Sequence, residues 1–462
     1  MMTKRIYLSG VSALLLFLLS TELATAQSES MQQQLDNYLQ AHYQNHDFMG
    51  EVLIADDDQI LAHSLIGMAD IEGGRKHQSG DIYHVASLTK QFTGAAIALL
   101  AQRGQLSLDD NLGTLLPDFA ARITGADSIT VPMLAQHEAG IPDYNGFPEY
   151  ALNSQRFMTL DEILAWISNN VRSIEPQGYD YSNSHFAVLA RIIEVASGQN
   201  YRSFMREEVF LPAGMNSTDH YRAEEVVSGR SHGYDPGHHN NLVNAPILDN
   251  SMKLGSGSLH TTAQDLLAWH RALREYRVLD RETQAIYLQA SSHDYALGVG
   301  VALDEISGQR VASHDGKSPG VGAYIKRWLD DGRVLIMLSN INSGVLNQMK
   351  ADLTRLANNQ PVELPERRVL RSVSESELST MTGYYQFPPQ TPIRITQQSG
   401  GLSLYWGNSG QVQHLAPLAG SDWFLMGTRG DRIRFRFDRD GSVDGLEYDW
   451  GGGVEFCPLV SR

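Results

Sequence analysis

The 462-residue chain reads as an α+β protein: an antiparallel sheet flanked by helices, with a helical subdomain, followed by a small all-β barrel. Three observations predict this. Strand-like text stands at both ends of residues 50–340 with helical text between, so the chain leaves a sheet and returns to it. After about residue 376 the text changes to short, alternating, glycine-punctuated strands. Ahead of both lies a basic and apolar leader that belongs to neither unit.

In that leader, Lys4 and Arg5 precede an apolar run from Ile6 to Leu19, and Ala24-Thr25-Ala26 is a small-x-small site before Gln27. The run falls short of the roughly 20 residues that span a bilayer. We therefore expect a signal peptide over 1–26, cleaved after Ala26, and a periplasmic or secreted protein with no stable membrane insertion. Residues 27–358 form the expected first domain, 359–376 a linker and 377–462 the β-domain.

Leu35, Tyr38, Leu39 and Tyr43 mark one side of a helix from Met31. Glu51–Ala55 and Gln59–Leu65 read as strands around Asp56-Asp57-Asp58. A helix from Ala86 through Arg103 stops at Gly104, and mostly helical text follows to about His270. Strand character returns at Tyr295–Leu303, Arg310–Ser313, Gly322–Trp328 and Arg333–Leu338, the last two joined by Asp330-Asp331-Gly332. Pro361 and Pro365, among arginines, serines and glutamates, mark the linker. The β-domain shows six strands, at 392–396, 402–406, 411–415, 423–426, 432–437 and 443–450.

A formal charge of −17 repels phosphate backbones and argues against nucleic acid as a partner. Cys457 is the only cysteine, which excludes an intramolecular disulfide and a thiolate metal cluster. No cofactor is expected.

Of seven lysines, Lys90 alone has a serine three positions before it. In a helix, Ser87 and Lys90 lie one turn apart on one face. A desolvated, neutral lysine there can take the serine proton and make it a nucleophile. Acyl transfer also needs a second proton-handling group, a polar clamp and oxyanion donors. Tyr181-Ser182-Asn183 supplies the first two, ahead of an apolar helix over Phe186–Ala196. His314-Asp315-Gly316-Lys317 ends a strand at which Gly316 lets a substrate backbone approach closely. The Ser87 and Lys317 amides are the oxyanion candidates.

S-x-x-K, Y-x-N and H-x-G in this order resemble the serine β-lactamase and penicillin-binding-protein-like hydrolases, nearest the class C-like branch. Flanking text agrees at Ser87–Thr93, Gly104–Asp110, His137–Tyr144 and Thr261–Leu266, and the similarity runs from about residue 33 to 355. The C-terminal segment is similar to the lipocalin-like β-domain appended to such hydrolases. The resemblance implies a β-lactamase/DD-peptidase-like fold and a small-molecule or peptide substrate. It implies that Ser87 is acylated, that Lys90 and Tyr181 share the proton transfers, and that Asn183 holds the substrate amide. His314 and Gly316 then line the strand side, and the Ser87 and Lys317 amides bind the oxyanion. β-Lactamases of this type, and most penicillin-binding proteins, carry K-T-G where this chain has His314-Asp315-Gly316. The missing lysine charge points to D-peptide or ester substrates ahead of β-lactams. A class C-like β-lactamase and a non-turnover binding protein are the competing expectations.

Three other motifs read as incidental. Gly316-Lys317-Ser318-Pro319-Gly320 matches G-x-S-x-G, but strand text follows where that elbow needs a helix, and Pro319 has no N–H. Glu149 is expected on a surface helix. His232, Asp235, His238 and His239 lack metal-ligand spacing and read as a polar surface loop. His137 and His185 read as structural hydrogen-bonders.

Overall fold

The structure, a computed structural model, describes residues 30–462 except 58, 177, 221–223, 239–240, 399, 408–411, 428–429 and 451–452. The expected leader lies outside the described residues.

Helix α1 (Met31–Gln44) starts at Ser30, whose hydroxyl accepts from the Gln33 amide. It leads into β1 (Gly50–Ala55) and β2 (Ile60–Ile66). Helix α2 (Thr89–Gln102) runs through the core, and α3 (Asn183–Ser197) and α4 (Ala263–Arg274) lie in the intervening helical region. The chain returns as β3 (Gly300–Leu303), β4 (Arg310–Ser318), β5 (Val321–Trp328) and β6 (Val334–Ser339), then α5 (Leu346–Ala357). These strands form one antiparallel sheet in the order β3-β4-β5-β6-β1-β2, so β1 pairs with β6. Both ends of the domain thus meet in one sheet.

Alternating side chains feed two cores. Val52, Ile54, Leu335 and Met337 pack with Leu35, Leu39, Met349 and Leu353 of α1 and α5. Leu53, Ile336 and Leu338 face Phe92, Phe186 and Trp269 in the helical layer. Every residue of β1 and β6 is buried. Each fully buried aliphatic side chain contributes about 1.5–3 kcal/mol.

The expected strand from Tyr295 forms only from Gly300. Residues 295–299 instead turn tightly, with Ala296 N donating to Val299 O and Val301 N to Asp294 O. At Gly298 (φ +78°) a Cβ would fall 2.2 Å from Lys90 O, so packing against α2 sets this turn. Strand β4 runs from Arg310 to Ser318, so the His314–Lys317 segment does form its end, as expected.

The C-terminal unit is a closed, sequentially ordered antiparallel barrel of eight strands: β7 (Gly383–Phe387), β8 (Thr391–Gln398), β9 (Gly401–Trp406), β10 (Val412–Pro417), β11 (Trp423–Met426), β12 (Arg432–Phe437), β13 (Val443–Asp449) and β14 (Val454–Ser461). Sequence reading missed β7, which is short and ends at two prolines, and β14, which contains Pro458. The two pair with each other and close the barrel. Its interior is filled by Tyr385, Ile393, Leu404, Leu415, Phe424 and Leu446 among others.

The segment expected to be a linker is anchored to both units. Arg368 pairs with Asp47, Leu370 bridges Leu418, and Ser374 caps a short helix over Glu375–Thr380. The expected surface loop around His232 is also corrected. Tyr234–Pro236 and Leu242–Asn244 pair as a hairpin, and His238 is buried against Ser403 and His414 of the barrel. His239 lies outside the described residues.

Candidate active site

Ser87 occupies a 3-10 turn over Ala86–Leu88 that leads directly into α2. Ala86 adopts φ +45°, a left-handed conformation costly for a residue with a Cβ. The turn is locked from behind: the Thr89 hydroxyl donates to Ala86 O (2.7 Å) and accepts from Leu259 N (3.2 Å). On α2, a Cβ at Gly94 would fall 1.8 Å from Leu297 O, so glycine lets the helix pack closely there.

Lys90 is fully buried one turn later. Its Nζ lies 2.7 Å from Asn183 Oδ1, 2.8 Å from Ser256 O and 3.2 Å from Ser87 Oγ. Asn183 Nδ2 donates to the Asp143 carboxylate (3.1 and 3.3 Å), which turns Oδ1 towards Lys90. Asn183 Oδ1 and Ser256 O are acceptors only. A neutral Lys90 amine therefore spends both N–H groups on them and directs its lone pair at Ser87. Burial is the main cause that lowers the Lys90 pKa to about 7; Asp143 opposes it and Lys253 adds to it.

Tyr181 approaches Ser87 from the other side, its hydroxyl donating to Ser87 Oγ at 2.9 Å. Lys90 Nζ stands 4.7 Å from the Tyr181 ring centroid. Burial raises the Tyr181 pKa far above the usual phenol value, so this hydroxyl keeps its proton. The ring rests on His137 (centroids 4.3 Å apart), itself at φ +62°. His137 Nδ1 accepts from Ser182 N, and His185 Nε2 accepts from Ile141 N. Burial holds both rings neutral. These two histidines shape the loop below Tyr181.

On the strand side, a Cβ at Gly316 would fall 2.1 Å from Val85 O and 3.2 Å from Ser87 N. Only glycine brings β4 this close. Ser318 and Val321 flank the two-residue Pro319-Gly320 turn, so they form the hydrogen-bonded end of the β4–β5 ladder. By alternation Lys317 is a non-bonded position, and its N–H points off the sheet edge. The Lys317 side chain leaves on the opposite face and reaches Asn347 Oδ1 at 3.0 Å.

His314 is buried, with Nδ1 2.6 Å from Asp315 O and Nε2 2.8 Å from Tyr295 Oη. A carbonyl only accepts, so Nδ1 carries the proton and Nε2 takes the tyrosine hydroxyl. Burial lowers the His314 pKa to about 4. The ring is neutral and supplies no fixed charge.

Two cavities adjoin this constellation. One, of about 400 Å³, is lined by Tyr179, Tyr181, Tyr295, His314 and Asp315. The other, of about 640 Å³, begins at His84 and Ser318. Sequence reading singled out Ser87, Lys90, Tyr181, Asn183, His314, Gly316 and Lys317, and the fold brings all seven to one place. It missed Asp143, which orients Asn183, Ser256, which contributes a carbonyl, and Tyr295. Asp143 sits in the noted His137–Tyr144 segment; a backbone carbonyl leaves no mark in sequence. The decoys do not form the nucleophile or metal sites that their motifs suggest. Ser318 ends a strand before a hairpin turn, and Glu149 accepts from the Trp166 indole. Asp70, Glu72 and His232 are close enough to share an ion, but Glu72 and His232 are exposed and Asp70 only half-buried.

A penicillin-binding protein of Bacillus subtilis (strain 168), penicillin-binding protein 4*, is 27% identical over 442 residues, which cover 89% of this chain and 95% of that protein. The octameric penicillin-binding protein homologue from Pyrococcus abyssi superposes with a TM-score of 0.62 at 19% identity, covering 93% of this chain and 98% of its own. D-amino acid amidase from Ochrobactrum anthropi SV3 complexed with D-phenylalanine superposes with a TM-score of 0.59 at 20% identity, covering 71% and 98%. These structural likenesses establish the fold. The family model described as Beta-lactamase matches residues 35–359, and with the architecture above it shows that the chain belongs to the beta-lactamase family and is a serine hydrolase.

Proposed function

We propose that this protein is an exported hydrolase that cleaves small amide or ester substrates, D-amino-acid peptides foremost, through an acyl-enzyme on Ser87. One observation carries the reading: Lys90 Nζ and the Tyr181 hydroxyl converge on Ser87 Oγ at 3.2 and 2.9 Å.

In this scheme Ser87 Oγ attacks the substrate carbonyl while its proton passes to neutral Lys90. The carbonyl oxygen becomes an oxyanion between the Ser87 and Lys317 amides, each such donor contributing about 3–4 kcal/mol. The bond to the leaving group breaks as the Tyr181 hydroxyl protonates the departing nitrogen or oxygen. The Lys90 ammonium then restores the Tyr181 proton. Water attacks the ester in the second half-reaction, loses its proton to the same pair and releases the acid and free Ser87. Lys90 is the stronger candidate for the base, because burial favours its neutral form and disfavours a Tyr181 phenolate. Asn183 acts through Lys90, both ends of its carboxamide being engaged by Lys90 and Asp143.

Two further observations bear on substrate and location. Neutral His314 stands where a β-lactamase of this type carries a lysine, so that strand position offers a substrate carboxylate no charge. Among the described residues no helix is long and apolar enough to cross a membrane, and export is proposed from the leader sequence over residues 1–26 alone. A kinetic panel of nitrocefin, short-chain p-nitrophenyl esters, D-aminoacyl anilides and D-Ala-D-Ala peptides tests the reading. We expect turnover of an ester or D-amino-acid substrate that is abolished in Ser87→Ala. A binding protein without turnover gives none on the whole panel, and nitrocefin as the best substrate reverses the ranking.

A further inference from the structure

We propose that Lys253 selects substrates carrying a carboxylate one residue beyond the scissile bond; this rests on the assignment of Ser87 as nucleophile. Lys253 ends a 3-10 turn over Asn250–Lys253, just before the segment that holds the base. Gly255 O and Ser256 O accept from the Thr93 hydroxyl and Lys90 Nζ, so the Lys253 backbone is fixed relative to Lys90. Its side chain runs beside the Ser87 turn. A Cβ at Gly257 would lie 3.6 Å from Lys253 Cβ and Cδ and 3.6 Å from Ala86 C.

The Lys253 ammonium donates to Ser318 Oγ at 3.1 Å. Ser318 shares a strand face with Gly316, two residues on, and the Gly316 Cβ position is 3.2 Å from Ser87 N. Two strand residues span about 7 Å. That separation suits a cation facing the carboxylate of an amino acid whose amine is the leaving group. Ser318 also lines the 640 Å³ cavity with His84, Asn250 and Arg230. Glu72 lines it too, but its carboxylate accepts from the Tyr234 hydroxyl.

No carboxylate among the described residues pairs with Lys253. Lys326 is neutralised by Asp304 and Lys350 by Asp315, while Lys317 leaves on the far face of the sheet. Lys253 is half-buried, so partial desolvation lowers its pKa to about 8 and leaves the ammonium predominant at neutral pH. A partly desolvated cation with donors to spare beside a nucleophile favours an anionic ligand. The class of substrate is therefore an acylated amino acid or peptide with a free C-terminal carboxylate, cleaved at the last amide.

The test compares a D-dipeptide bearing a free C-terminal carboxylate with the same dipeptide capped as its carboxamide. The readout is the ratio of kcat/KM values, with titration by a serine-reactive phosphonate to count working Ser87 sites. Wild type should prefer the carboxylate at least tenfold. Lys253→Met should lower the ratio about 100-fold, equivalent to about 2.7 kcal/mol, chiefly through KM. Lys253→Arg, which keeps the charge, should hold the ratio within tenfold of wild type. An unchanged ratio in Lys253→Met, an equal loss on both substrates, or a wild type without carboxylate preference each overturns the proposal. Absence of phosphonate labelling at Ser87 instead sinks the nucleophile assignment on which it rests.

Discussion

Acylation of Ser87 requires a neutral Lys90, so its rate follows the titration of a lysine held at about 7. The neutral fraction rises from about 1% at pH 5 to about 90% at pH 8, so the acylation constant should climb about 90-fold. Below pH 6 it should rise about tenfold per pH unit. The assay is stopped-flow acylation with an uncharged p-nitrophenyl ester, which reports the first step and removes any contribution from carboxylate binding at Lys253. The nearby histidines titrate lower, His314 at about 4 and His185 at about 3, while Lys253 titrates at about 8, so a limb near 7 that persists in Lys253→Met belongs to Lys90. Tyr181→Phe should slow acylation by about 100-fold yet leave the limb in place, because the phenol stays protonated across this range. A flat profile refutes the reasoning. So does a limb near 10, which would mean that burial does not depress the amine or that the phenolate is the base.

Asp143 favours the protonated form of Lys90, so Asp143→Asn should move this limb to lower pH; movement to higher pH would contradict the geometry. The same depression affects stability: between pH 7 and 10.5 the unfolded lysine binds more proton than the folded one. Wild type should therefore gain stability relative to Lys90→Met as pH rises through that window, as urea unfolding measures. Gly316→Ala drives a Cβ to 2.1 Å from Val85 O and should lower acylation more than 100-fold, with far-UV circular dichroism unchanged. Asp304→Asn leaves Lys326 nearly buried without its counter-charge and should cost about 3–5 kcal/mol in chemical denaturation. Asp304 is itself lowered to about 2, so its contribution holds above pH 4 and disappears as pH falls towards 2.

The parts of this architecture that read from sequence are those set by side-chain period or short spacing. The short apolar runs of β1 and β6 and the one-turn interval between Ser87 and Lys90 are local facts, and the structure keeps them. The parts that did not read are set by tertiary packing. Residues 295–299 look like strand, yet Gly298 bends them against Lys90 O. His314–Lys317 reads as the end of a strand, but its pairing with β5 along its whole length is a contact that the segment's own residues do not specify. Strands β7 and β14 are weak alone and exist because each closes the barrel on the other. Asn183 was legible as a site residue, but its engagement by Asp143 and Lys90 rests on a contact across 40 residues. Lys253 carried no signal at all, since its place beside Ser318 is made by a strand 65 residues away.

Mass spectrometry of the protein treated with a serine-reactive phosphonate, followed by peptide mapping, tests the central claim most directly. One adduct is expected, on the peptide carrying Ser87, and none in Ser87→Ala. Labelling that persists in Ser87→Ala, or an adduct mapped to another residue, would contradict the account.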